Sequence, residues 1–98
     1  MTRSQIIERL VANRDRLREF SVAALFLFGS HARDEGRDDS DVDILVDFEA
    51  DAHVGLVEFA RLRRFLSELL RSDVDLVTRD ALHRALREDI LKELVRAT

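Results

Sequence analysis

Five residues of this chain have types and a spacing that suit chemistry on a phosphate group. Gly29 and Ser30 directly follow an apolar run, and ten residues separate Ser30 from the acidic pair Asp41 and Asp43. A glycine at a strand end lets the backbone approach a ligand closely, and Ser30 would offer its hydroxyl and neighbouring N–H groups to a phosphate. Asp75, inside another apolar run, adds a third carboxylate. A phosphate-sized turn joined to paired acids indicates nucleotidyl transfer.

The acidic pair needs its context, because the chain is rich in aspartate. Twelve aspartates are present, which produces about one D-x-D pattern by chance. Three occur: Asp39 with Asp41, Asp41 with Asp43, and Asp73 with Asp75. In a strand, Asp41 and Asp43 would point to the same face, and two like charges held so close favour a bound cation, magnesium or manganese. The alternative is a pair of solvent-facing acids at the start of an edge strand, but the Gly-Ser turn favours the metal site.

Other polar residues near the turn give weaker signals. Arg33 would either neutralise a phosphate or lie in solvent as one of fifteen arginines, and its distance of three residues from Ser30 favours the phosphate. His31, His53 and His83 lack the spacing of zinc ligands, so we expect them on the surface or on helix faces. The chain has neither a G-x-x-x-x-G-K-[ST] loop nor a G-x-S-x-G elbow, which argues against a P-loop hydrolase and a serine hydrolase.

Composition limits the kind of protein. With 98 residues and 46% hydrophobic content, residues 1–98 suit a single domain without a separate substrate-binding lobe. The net charge of −4 argues against direct nucleic-acid binding. Cysteine is absent, which excludes disulfides and thiolate metal sites. No stretch is apolar enough for a signal peptide or a membrane span, so we expect a soluble, cytoplasmic protein.

Apolar periodicity predicts the elements that must position these residues. They alternate in the order helix, strand, strand, helix, strand, helix, which is an α/β arrangement, and the near-continuous apolar character of the first strand indicates a central position. The predicted elements are a helix over 4–19 capped by Ser4, a strand over 23–28, a loop over 34–40, a strand over 42–48, a helix over 56–70, a strand over 74–78, and a last helix capped by Asp80 and running through Leu82, Leu86, Ile90 and Leu94.

The motif G-S-x10-D-x-D, followed by the run Val74-Asp75-Leu76-Val77, resembles the minimal nucleotidyltransferases of the DNA polymerase beta superfamily. Within that superfamily the chain is similar to the MntA-type antitoxins of prokaryotic HEPN/MNT toxin–antitoxin modules, over nearly its whole length. The resemblance implies a polymerase beta-like fold with a small mixed sheet flanked by helices. One departure is Asp34, where many relatives have glycine, and Gly36 stands nearby instead.

The resemblance also implies a role for each motif residue. Gly29, Ser30 and Arg33 would bind the triphosphate of ATP. Two Mg²⁺ ions would be held by Asp41 and Asp43, while Asp75 would ligate one ion and help deprotonate the acceptor hydroxyl. The reaction would place AMP on a tyrosine of a cognate HEPN ribonuclease toxin and release pyrophosphate.

Two further functions stay open at this point. The chain could neutralise its partner by covering it, with the metal site vestigial, since it is small and has no acceptor lobe. Transfer of a nucleotide to a small molecule such as an aminoglycoside is a third function, but it normally requires an additional domain.

Overall fold

Short apolar runs form the strands of this protein, and stretches with an apolar residue at every third or fourth position form its longer helices. The structure is a computed structural model that describes residues 1–82 and 84–98. None of the described helices has the length and apolar character needed to cross a membrane. In chain order the elements are α1 (Arg3–Ala12), α2 (Arg14–Glu19), β1 (Val22–Phe28), α3 (Gly29–Ala32), β2 (Val42–Phe48), α4 (Leu56–Leu70), β3 (Val74–Val77), a 3₁₀ turn (Arg79–Ala81), α5 (Arg84–Lys92) and β4 (Val95–Arg96).

The four strands form one mixed sheet in the order β3-β2-β1-β4. β1 pairs antiparallel with both β2 and β4, whereas β2 and β3 are parallel. A parallel pair needs a long crossover, and α4 provides it. The predicted α/β class and the central position of the first strand are confirmed, as are the bounds predicted for β2 and α4.

The two faces of β2 differ in chemistry. Val42, Ile44 and Val46 are buried in the main hydrophobic core. Since alternate residues of a strand point to opposite faces, Asp43 and Asp47 project from the other side of the sheet. The helices α1 and α4 cover the apolar face with Ile6, Leu10, Leu62 and Leu66. The sheet therefore turns its acids away from its core.

The single N-terminal helix that the sequence predicted is in fact two helices. They meet at Asn13, whose side-chain amide donates to the carbonyl oxygen of Arg9 (2.8 Å) and so competes with the helical hydrogen bond at that point. The predicted cap, Ser4, is also wrong. Thr2 is the cap, because its hydroxyl accepts from the Gln5 N–H (3.2 Å) and the Gln5 side chain accepts from the Thr2 N–H (2.9 Å).

The last helix also differs from the prediction. Asp80 lies in the 3₁₀ turn and not at a helix cap, and Leu94 lies beyond the end of α5. Leu86 is 56% exposed, so the apolar spacing of this segment does not mark a core-facing stripe. The chain leaves the helix because Val95 pairs with Leu27 at the edge of the sheet. A strand of two residues carries no periodicity that a sequence could reveal.

Candidate active site

Gly29 connects β1 to α3 in a conformation that favours glycine. Its φ of 71° lies in the left-handed region. A Cβ atom at this position would collide with the carboxylate of Asp43. Phe28, the residue before the turn, pairs with Asp43 across the β1–β2 ladder. The turn and the acid are therefore in direct contact.

The three predicted acids lie at the same end of the sheet. Asp43 and Asp75 are direct neighbours in the parallel β2–β3 register and share a face, and Asp41 precedes β2. Asp41 and Asp75 are exposed, whereas Asp43 is half-buried. The pKa of Asp43 is raised, first by burial and then by the charges of Asp75 and Asp41, against a weaker opposing effect of His31 and Arg33. Asp43 therefore holds its negative charge at a cost.

The chemistry of these side chains suits a hard divalent cation. Their donors are all carboxylate oxygens, and a cation would relieve the repulsion that raises the pKa of Asp43. No group of three acidic or histidine side chains in the described part of the chain is already arranged as a metal cage. Mg²⁺ usually binds through one or two carboxylates together with water and substrate phosphates. Neighbouring carboxylates such as Asp43 and Asp75 therefore suit the protein's share of such a site.

Ser30 and His31 begin the short helix α3, but the two side chains differ in burial. Ser30 is half-buried next to the turn. His31 is only 4% exposed, and its Nδ1 has no hydrogen-bond partner among the described residues. Its ring packs beneath Gly36, where an added Cβ would come within 2.5 Å. His31 lies on the helix α3, one of the two expected placements, but a surface position is wrong for it because the loop covers it. A surface position is confirmed for His53, which is exposed, while His83 lies outside the described residues.

The loop over this helix is tied to the start of α1. Asp34 has a φ of 59°, a left-handed conformation that glycine adopts freely and that aspartate tolerates. Its carboxylate accepts from the Arg3 N–H (3.0 Å), and the Arg3 guanidinium donates to the carbonyl of Ala32 (2.9 Å). The amino group of Met1 pairs with Asp38 at 3.2 Å. Asp34 thus takes the backbone shape that glycine would supply at this position.

Arg33 lies between two carboxylates. Its Nε donates to Glu35 and its Nη1 to Glu93, each at 3.1 Å. These contacts raise the pKa of Arg33, the hydrogen bond to Glu35 most of all. Glu93 also accepts from the Gly29 N–H at 3.2 Å. Glu93 has no signal in the sequence, because no motif connects it to a residue 60 positions earlier in the chain.

A second acid on the same face of β2, Asp47, has a different environment. Arg79 donates to it through Nε (2.9 Å) and Nη2 (3.0 Å). The guanidinium of Arg79 also lies 5.2 Å from the centre of the Phe26 ring. Phe26, from the apolar run of β1, is half-buried beside this pair.

Three features together define the class of the protein: a small mixed sheet, a glycine-serine turn at the end of its central strand, and facing carboxylates on the neighbouring strands. This is the architecture of a nucleotidyltransferase. A family model described as "Nucleotidyltransferase domain" matches residues 8–97. The chain belongs to this family.

Individual relatives agree with this assignment. The protein adenylyltransferase MntA of Thermococcus cleftensis is 41% identical over 96 residues, which are 97% of this chain and 95% of that protein. A solved minimal nucleotidyltransferase is 36% identical, with a TM-score of 0.79 and coverage of 97% of this chain and 95% of the other. The fold also matches, at 20% identity and a TM-score of 0.67, a Shewanella oneidensis complex of a tri-AMPylated HEPN toxin with its MNT antitoxin, covering 99% of this chain and 72% of that one.

Proposed function

We propose that residues 1–98 act as one nucleotidyltransferase domain and as an antitoxin that transfers AMP from ATP to a tyrosine hydroxyl of a cognate HEPN toxin. The observation that carries this proposal is the contact of the Gly29 turn with Asp43, which lies beside Asp75 of the next strand on the same face of the sheet. The adenylyltransferase relative of Thermococcus and the AMPylated toxin in the Shewanella complex support the choice of AMP and of a protein acceptor.

The residues of the site divide into two groups. Ser30 and Arg33 bind the triphosphate at the start of α3, through a hydroxyl with its neighbouring N–H groups and through a guanidinium. Asp41, Asp43 and Asp75 would hold two Mg²⁺ ions, which stabilise the attacking and the leaving oxygen of an in-line displacement when bound. Gly29 contributes room, because any side chain there would displace Asp43.

The acceptor reaches this site beside the exposed carboxylates of Asp41 and Asp75. Its hydroxyl oxygen attacks the α-phosphorus of ATP, and the bond from that phosphorus to the oxygen of the β-phosphate breaks. Pyrophosphate leaves, AMP stays on the acceptor oxygen, and the hydroxyl proton passes to a carboxylate. Asp75 accepts this proton, because it is exposed and lies beside Asp43.

The mass of the toxin tests the proposal. After incubation of the complex with ATP and Mg²⁺, we expect the toxin to gain one or more AMP units, and Asp41→Asn and Asp43→Asn to abolish the gain. Asp51→Asn is the matched control, because Asp51 is exposed and lies beyond the other end of β2. It should keep the activity.

An unchanged toxin mass would contradict the proposal. If Asp41→Asn and Asp43→Asn then still formed a tight complex that silenced the toxin, the protein would be an antitoxin that acts by binding alone. Mapping the modified residue by peptide fragmentation tests the tyrosine separately.

A further inference from the structure

The carboxylate of Glu93 joins two parts of the phosphate site. Its Oε1 accepts from the Gly29 N–H at 3.2 Å, and its Oε2 accepts from Arg33 Nη1 at 3.1 Å. Glu93 thereby connects the first residue of α3 with the arginine that follows this helix. The side chain is 34% exposed, whereas Glu35, the other partner of Arg33, is 66% exposed.

The sheet fixes the position of Glu93. Two residues after it, Val95 pairs with Leu27, which itself lies two residues before Gly29. The Ala97 N–H donates to the carbonyl of Leu25 at 2.8 Å and extends this pairing. Glu93 therefore reaches the turn from a hydrogen-bonded strand edge, and β4 has a role beyond widening the sheet.

These contacts decide which donors remain for a ligand. The Gly29 N–H is already used by Glu93, and the Nε and Nη1 atoms of Arg33 are used by Glu35 and Glu93. Among the described residues, Arg33 Nη2 has no hydrogen-bond partner. A guanidinium carries its five donors in a fixed plane, so holding two of its nitrogens fixes the direction of the third.

We propose that Glu93 is a positioning residue, which holds the Arg33 guanidinium against the Gly29 turn so that its Nη2 edge meets the β- and γ-phosphates of the nucleotide. This inference rests on the proposed function. It adds a residue of the C-terminal segment to a site that the motif places entirely between residues 29 and 75.

Glutamine is a sharp test of this role. A carboxylate has two acceptor oxygens, whereas a carboxamide of the same shape has only one and presents an NH₂ group in place of the other. In Glu93→Gln either Gly29 or Arg33 must lose its acceptor. Glu88→Gln removes the same charge from an exposed position on α5 and is the matched control.

Titration calorimetry with MgATP and with AMP measures the effect. We expect Glu93→Gln to weaken MgATP binding about tenfold, the loss typical of one charge-assisted hydrogen bond. AMP has no β- or γ-phosphate, so its binding should stay within about twofold, and Glu88→Gln should leave both ligands within that range. A merely structural defect would weaken ATP and AMP alike.

A double-mutant cycle shows whether Glu93 acts through Arg33. In an Arg33→Met background, Glu93→Gln should cause no further loss of MgATP affinity, because the group that it positions is absent. Unchanged or tighter MgATP binding by Glu93→Gln, an equal loss for AMP, additive losses in the cycle, or loss of the cooperative unfolding transition would each overturn the inference. If only the inference is wrong, the wild type still binds MgATP and modifies the toxin. If the wild type does neither, the proposed function fails with it.

Discussion

Asp43 and Asp47 lie four residues apart on the same face of β2, yet the protein treats their charges differently. Asp47 is half-buried and receives three hydrogen bonds from Arg79, two from Nε and one from Nη2. Asp43 is also half-buried, but its pKa is raised, first by burial and then by the charges of Asp75 and Asp41. One acid is neutralised by the fold and the other is left in need of a cation.

This difference separates a structural acid from a functional one. A fold that needed Asp43 only for stability would place a basic partner beside it, as it does for Asp47, because an uncompensated, half-buried charge is costly. Asp43 instead lies beside Asp75 and against Gly29, where only the lack of a side chain leaves space for its carboxylate. The unneutralised end of the strand is the end at which we expect the nucleotide.

The largest effect should come from substituting Asp75, in comparison with Asp47 at the other end of the sheet. We expect Asp75→Asn to lower the rate of AMP transfer about 10³-fold, because bound cations supply several kcal/mol of transition-state stabilisation. Asp47→Asn should stay within about tenfold of the wild type. Single-turnover transfer to the toxin, measured by mass spectrometry, checks both variants. Equal losses would mean that Asp75 and Asp47 do not differ in function.

Substitution of Gly29 should have the next largest effect, on the stability of the fold. Gly29→Ala should lower the free energy of unfolding by about 2–4 kcal/mol, because a left-handed alanine is strained and its Cβ displaces Asp43. Gly55→Ala is the control, because Gly55 has a φ of −89° and its added Cβ would meet only the end of the flexible Glu58 side chain. It should change the stability by no more than about 1 kcal/mol. Urea denaturation measures both, and a tolerated Gly29→Ala would contradict the close contact.

Asp47 should matter for stability more than for chemistry. Asp47→Asn should lower the free energy of unfolding by about 1 kcal/mol, since it weakens a partly exposed ion pair and leaves Arg79 without its charged partner. Thermal unfolding at neutral pH checks this value. An unchanged melting temperature would show that Arg79 contributes nothing by holding Asp47.

Substitution of Asp43 should change the free energy of unfolding in the opposite direction and by a smaller amount. Its raised pKa means that the folded state binds a proton more tightly than the unfolded state, so its ionised carboxylate destabilises the metal-free protein. We expect Asp43→Asn to raise the free energy of unfolding by about 0.5 kcal/mol after solvent screening, which is about 2–4 °C in Tm.

The pH dependence supplies the check on this sign. As pH rises from the ordinary carboxyl pKa through the raised one, the metal-free wild type should lose stability relative to Asp43→Asn, and above both values the difference should be constant. Thermal melts in chelator-treated buffer at a series of pH values measure it. A variant less stable than the wild type at neutral pH would contradict the described environment of Asp43.

The sequence predicted those parts of the molecule that depend on local pattern. The bounds of β2 and α4 follow from apolar periodicity alone, and the turn at Gly29 follows from its place after an apolar strand. The side-by-side placement of Asp43 and Asp75 depends on the parallel register of β2 and β3, which apolar periodicity does not predict.

What the sequence could not predict depends on contacts between distant segments. Glu93 meets Gly29 across 64 residues, and Arg79 meets Asp47 across 32. The burial of His31 depends on a loop that packs over it, and the residue type and its neighbours in the sequence do not indicate this contact. The break at Asn13 arises because one side chain competes with the backbone, a choice that helical periodicity does not record.

The exposure of Asp41 and Asp75 has a consequence for how substrates are chosen. Charges that develop in a transition state are stabilised best where water is excluded, and this chain leaves the acceptor side of its carboxylates open. In the proposed reaction the surface of the docked toxin covers these carboxylates and excludes water from them. Catalysis then requires docking of the toxin. A free hydroxyl in solution is a poor acceptor even with every catalytic group in place. Selectivity would thus be encoded largely in the surface that the toxin brings.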